Sequence, residues 1–167
     1  MLAVALLIGA RPSASDEQFP HGLLASEPRK NFCTIETRPL SFGVYDGTQL
    51  DGIGQIIYTC GAGQEPGTQK PHNIRIQIDR GWTNSYSNRG MAGISGTGSL
   101  DTLHYNIYLD ATHRTIWGDG TNGTDFYFDA DPPNKTSVTV PAYGRIPARQ
   151  DVMPGLYKDE PGVRILW

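Results

Sequence analysis

Apolar and polar residues alternate strictly through Ile74-Arg75-Ile76-Gln77-Ile78-Asp79, the pattern of a strand with one face in a core and the other in water. The same period runs from Leu103 to Asp110, with Leu103, Tyr105, Ile107 and Leu109 set against His104, Asn106, Tyr108 and Asp110. Both stretches predict half-buried antiparallel strands. Further short runs of β character occupy residues 32–37, 40–45, 53–60, 137–146 and 155–167, with turn-forming residues between them. The first two are separated only by Arg38-Pro39, so they read as one interrupted strand, which leaves six strands in all. No window of a dozen residues places apolar positions at a spacing of 3.6, so helices are expected as single turns at most. Short strands in series without intervening helices predict an all-β, immunoglobulin-like Greek-key sandwich, whose complete constant-type form has seven strands. The sixth run ends at Trp167, the last residue of the sequence. The expectation is therefore an incomplete sandwich of six strands that lacks its last one.

Composition agrees with strands and turns, since Gly (20) and Pro (12) are plentiful and only 19% of residues are charged. A length of 167 residues suits one domain that can bury a core without metals. The N-terminal part breaks the β pattern. Residues 2–10 (LAVALLIGA) are unbroken apolar, and the small residues Ser13, Ala14 and Ser15 follow, as in a secretory signal peptide over residues 1–15. The run falls far short of the roughly 20 residues that span a bilayer, so no retained membrane span is expected. Residues 16–31 carry Pro20 and Pro28 with mixed charge and read as an extension, and residues 32–167 as the domain. Loss of Arg11 with the leader leaves 13 Lys+Arg against 17 Asp+Glu, a net charge of −4, and no basic cluster. Nucleic acid is not an expected partner.

Cys33 and Cys60 form an even pair in a chain marked for export, with no Cys-x-x-Cys or His pair beside them. A disulfide is the simplest reading; two buried free thiols are the alternative. The catalytic motifs fail on context. Gly118-Asp-Gly120-Thr-Asn-Gly123 fits G-x-G-x-x-G, but Asp-Phe-Tyr-Phe-Asp follows where a dinucleotide site needs a helix, so it reads as a glycine-rich turn. Gly93-Ile-Ser95-Gly-Thr97 lacks the second glycine of a nucleophile elbow. Asp119, Asp125, Asp129 and Asp131 lack the spacing of a calcium loop and read as turn carboxylates. His21, His72, His104 and His113 stand singly. No catalytic, metal or cofactor site is expected. Trp82, Tyr86, Trp117, Phe126, Tyr127 and Phe128 are either core and loop anchors or the lining of a sugar-binding surface.

Several strings, in order, resemble the spore coat protein U domain family of secreted pilins from archaic chaperone-usher pili. They are Cys33, Pro39-Leu-Ser-Phe42-Gly43-Val-Tyr45-Asp46, Gly54 and Cys60, then Arg89-Gly-Met91 and Leu103-His-Tyr105-Asn106-Ile-Tyr108. Thr115-Ile-Trp117-Gly118-Asp119-Gly120, Tyr143-Gly144-Arg145-Ile146-Pro147 and Gly155-Leu-Tyr157-Lys-Asp159 complete the set. The resemblance covers residues 32–167. It implies a sandwich whose missing strand is supplied first by a periplasmic chaperone and then, at an outer-membrane usher, by the N-terminal extension of a neighbouring pilin subunit. On that scheme Phe19, His21, Leu23 and Ala25 form the donor face. The acceptor groove lies beside residues 155–167, with Tyr157, Val163, Ile165 and Trp167 as its candidate lining. The product is a pilus on the cell surface, serving adhesion and biofilm formation. A spore or cyst coat protein and a secreted carbohydrate-binding sandwich are the alternatives, and no nucleophile-base pairing supports an enzyme.

Overall fold

The computed structural model describes residues 2–6, 31–63, 66–94 and 101–167. Among them the regular elements are all strands: β1 (Leu2–Leu6), β2 (Phe32–Arg38), β3 (Leu40–Tyr45), β4 (Leu50–Gly61), β5 (Ile74–Ile78), β6 (Arg89–Gly93), β7 (Thr102–Tyr108), β8 (Tyr127–Asp129), β9 (Ser137–Ile146), β10 (Leu156–Lys158) and β11 (Val163–Leu166). A curled eight-stranded sheet has the order β2-β4-β9-β7-β6-β10-β1-β3, and a three-stranded sheet the order β11-β5-β8. Pairing is antiparallel throughout except between β1 and β10. This is the all-β sandwich that the period-2 pattern predicts.

The core follows from that period. Ile74, Ile76 and Ile78 of β5 are fully buried, as are Leu103, Tyr105 and Ile107 of β7 and Ile56, Tyr58 and Cys60 of β4. Val140, Ala142 and Ile146 of β9 join them, with Trp117 a fully buried member of the cluster. The indole of Trp117 donates to Ile76 O at 2.8 Å, so burial leaves its N–H satisfied.

Three features depart from the expected six runs. The interruption at Pro39 is a change of position in the sheet: β2 pairs with β4, whereas β3 lies at the opposite end of the strand order. The run 155–167 divides into β10, which pairs with β6, and β11, which pairs with β5 in the other sheet. Proline and glycine at 161 and 162 make that break, and Gly162 O accepts from Asp79 N at 2.9 Å across it. Finally, β6 and β8 are strands that alternation does not reveal, because Arg89, Gly90 and Met91 are all buried and β8 has only three residues.

Arg89, fully buried, joins the two layers. Its Nε donates to Asp79 O at 2.9 Å, Nη1 to Asn106 Oδ1 at 2.7 Å, and Nη2 to Asp79 O at 2.8 Å and Trp117 O at 2.7 Å. Next to it Asp159, also buried, accepts from Tyr105 Oη at 2.8 Å and Trp82 N at 3.0 Å. Burial lowers the Arg89 pKa and raises that of Asp159.

Cys33 and Cys60 face each other across β2 and β4 and are joined, with Cα atoms 4.1 Å apart. The bond staples the edge strand β2 to the sheet. Closing a loop over a separation of 27 residues contributes about 3–4 kcal/mol by chain entropy. Cys33→Ser is therefore expected to lower stability by that amount and to abolish the response to reductant; an unchanged denaturation midpoint would refute the estimate.

Candidate functional site

The site is built on β3. Proline at 39 cannot donate to a ladder, and the chain beyond it leaves the β2–β4 pairing and crosses above β4 and β9. Glycines make that crossing possible. A Cβ at Gly54 of β4 would lie 2.9 Å from Leu40 Cβ, and one at Gly144 of β9 would lie 2.6 Å from Leu40 Cδ1 and 2.7 Å from Phe42 Cζ. β3 thus packs down on bare backbone, burying Leu40, Phe42 and Tyr45. Gly144→Ala overpacks this contact and is expected to cost about 1–3 kcal/mol in thermal or denaturant unfolding.

The far end of β3 is tied by side chains. Tyr45 Oη donates to Pro147 O at 3.1 Å and accepts from Gln150 N at 2.9 Å, and Arg149 N donates to Gly47 O at 2.9 Å. Gln150 in turn brackets β7, its Oε1 accepting from His104 N at 2.7 Å and its Nε2 donating to His104 O at 2.8 Å. β3 is anchored from below and at one end, while among the described strands it has a single ladder partner.

That partner is β1. It pairs with β3 antiparallel over five residues, from Leu2 opposite Tyr45 to Leu6 opposite Leu40. Its other edge runs parallel to β10, with Ala3 opposite Leu156 and Val4 opposite Tyr157. Between β3 and β10 there is one strand position, and residues 2–6 occupy it. Without an occupant β3 has no ladder partner among the described strands, and the sheet ends at β10. On the β10 side Tyr157 is buried, its hydroxyl donating to Met153 O at 2.6 Å, and burial raises its pKa.

Of the four residues expected to line an acceptor groove, Tyr157 borders this gap. Val163 and Ile165 lie on β11 opposite Ile78 and Ile76, and Trp167 follows that strand with half its surface exposed. The donor candidates Phe19, His21, Leu23 and Ala25 lie outside the described residues. Pattern reading missed the second wall of the gap, Leu40 to Tyr45. Its sequence signal is Pro39, which cannot donate to a ladder, followed by Leu40, Phe42 and Gly43; in the structure Leu40, Phe42 and Tyr45 are the buried residues of the run.

The other candidate chemistry resolves into structure. Gly118–Gly123 is a turn, in which Asp119 Oδ1 accepts from Thr121 N at 2.9 Å and Thr121 Oγ1 at 2.6 Å. Asp129 accepts from Tyr58 Oη, and Asp131 pairs with Lys70 and His72. Among the described residues no group of three or more His, Cys, Asp or Glu is arranged to hold a metal ion. The six aromatics divide, with Trp117 and Tyr86 buried and Trp82 and Phe128 exposed. No helix among the described residues is long and apolar enough to cross a membrane.

A curled sandwich with one strand position between β3 and β10 held by residues 2–6, a staple at Cys33–Cys60 and the ordered motifs above meets an independent finding: the family model of the Spore Coat Protein U domain matches residues 23–163. The chain belongs to that family. No curated protein matches it. The family is one of structural, coat and pilin-like domains and is not a known enzyme family. The match takes in both walls of the gap and the disulfide. A disulfide agrees with folding in an oxidising compartment, as expected for a surface-related Spore Coat Protein U domain.

Proposed function

We propose that this Spore Coat Protein U domain is a structural subunit of a surface pilus assembled by the chaperone-usher route through donor-strand complementation. The observation that carries the reading is the single strand position between β3 and β10, whose occupant is the only ladder partner of β3 among the described strands. In this reading residues 1–15 are a cleaved leader, so the strand that fills the gap here leaves with it. The opened gap is then an acceptor for an extended segment of another polypeptide, in which backbone bonds supply affinity and alternating side chains supply register. A periplasmic chaperone fills it first and a neighbouring subunit's extension afterwards, at an outer-membrane usher. Residues 16–31 act in the same way toward the next subunit, with Phe19, His21, Leu23 and Ala25 on one face of the donated strand. The assembled pilus serves adhesion and biofilm formation.

The test is export of the chain to the periplasm with and without its chaperone. The expected result is soluble subunit only in the chaperone complex. A leader-free chain recovered alone as a stable monomer would overturn the reading. Deleting residues 16–25 should block polymerisation and leave chaperone binding intact. The family description favours one second reading, a spore or cyst coat protein using the same strand exchange. Expression timed to sporulation separates it from a pilus.

A further inference from the structure

The pairing of β1 with β3 contains one irregularity. Leu2, Ala3 and Val4 stand opposite Tyr45, Val44 and Gly43, but Ala5 stands opposite Ser41, so Phe42 is passed over. At this point Gly43 has φ +80°, in the left-handed region that side chains rarely adopt. A glycine in that conformation beside an unpaired residue is the geometry of a glycine-type β-bulge. Its effect is visible in burial. Leu40 and Phe42 face inward and Ser41 outward, Gly43 and Val44 then both face outward, and Tyr45 is buried again. A regular strand would turn Val44 inward and Tyr45 to water, losing the hydroxyl bridge from Tyr45 to Pro147 and Gln150. A Cβ at Gly43 would meet nothing within 4 Å, so backbone conformation alone demands glycine there.

We infer that Gly43 sets the register in which a strand running antiparallel to β3 enters the gap. An incoming strand is read in two blocks, one on Val44–Tyr45 and Gly43, the other on Ser41 and Leu40, with the skipped residue fixed between them. A slip by one residue exchanges the two faces of the entering strand, so a fixed skip excludes the slipped docking. Gly43 is thus a positioning residue of the acceptor edge. The inference rests on the gap being the strand-acceptor site.

The test uses the full chain and the occupant it already carries. Ala5→Cys with Ser41→Cys probes the block before the bulge, and Ala3→Cys with Val44→Cys the block after it; Cys33–Cys60 shows that partners across two strands of this sheet can be bonded. After mild oxidation, mapped by mass spectrometry, both pairs are expected to cross-link. Gly43→Val should reduce the Ala3→Cys/Val44→Cys product at least about fivefold relative to the other pair, and Gly43→Asn, which tolerates the left-handed region, should restore it. Formation of Cys33–Cys60 reports folding of each variant, and Gly43→Ala carries the same comparison where valine prevents folding. Equal cross-linking of both pairs whatever residue stands at 43 overturns the inference and leaves the acceptor gap intact. Absence of both cross-links in the uncleaved parent chain shows that residues 2–6 do not seat on β3 in this register, which overturns the inference; the proposed function, in which residues 1–15 are removed, falls only by its own export test.

Discussion

Replacing Arg89 by methionine is expected to lower the unfolding free energy by about 3–5 kcal/mol at neutral pH, read as a fall in denaturant midpoint with an unchanged slope. Methionine fills much of the volume but donates nothing. It leaves Asp79 O, Trp117 O and Asn106 Oδ1, which converge on the guanidinium from three separate segments, without their donor. Each buried acceptor left unmet costs about 1–3 kcal/mol. Arg89→Lys keeps the charge but cannot reproduce the planar fork, so it should fall between the two. The loss also depends on pH. The Asp159 carboxyl is already held above its ordinary value by burial. An acid held up in this way binds its proton more readily folded than unfolded, so the folded state gains as pH falls through the folded value toward 3.8. Removing the neighbouring cation strengthens that effect, and the penalty of Arg89→Met should shrink between pH 7 and pH 4.5. A variant as stable as its parent at pH 7 would refute the role given to Arg89.

How far the fold is legible in the sequence depends on whether burial follows a simple period. β5 and β7 are read directly, because one face is buried and the other wet, and the bounds of β9 agree residue for residue with the expected run. β6 is invisible to that test. Its Arg89 is buried through hydrogen bonds rather than apolarity, and Gly90 is buried because a Cβ there would meet Thr102 Cγ2 at 2.3 Å. The last run reads as one strand interrupted at Pro161-Gly162, yet the chain passes from one sheet to the other between Tyr157 and Val163. The strand position between β3 and β10 is legible from one side only. A deficit of one strand beside Tyr157 follows from counting elements, but the opposite wall does not, because β3 is recognisable as a wall only once Pro39, Gly54, Gly144 and the bulge at Gly43 are placed together. Residues 2–6 carry an apolar run with neither period, which suits a leader and a central strand equally well.

A chain that begins at residue 16 is expected to be marginally stable, and an added peptide of residues 1–8 is expected to restore it. The anchorage of β3 explains why. Its packing against Gly54 and Gly144 and its tie through Tyr45 hold it at the floor and at one end, but among the described strands it forms a ladder with β1 alone. If β3 frays when that partner is gone, Leu40, Phe42 and Tyr45 come into water together. At about 1.5–3 kcal/mol for each side chain, that loss is comparable with the roughly 5–15 kcal/mol that holds a domain folded. Binding in trans recovers stability by mass action, about 2.7 kcal/mol at one hundred times the dissociation constant, so the melting temperature should rise with peptide concentration. A peptide with Val4→Pro should fail, since proline removes a donor from a strand that is paired on both sides. Equal stability of the shortened and full chains, with no response to either peptide, would mean that β3 stands without a partner strand, and the gap could then not drive assembly.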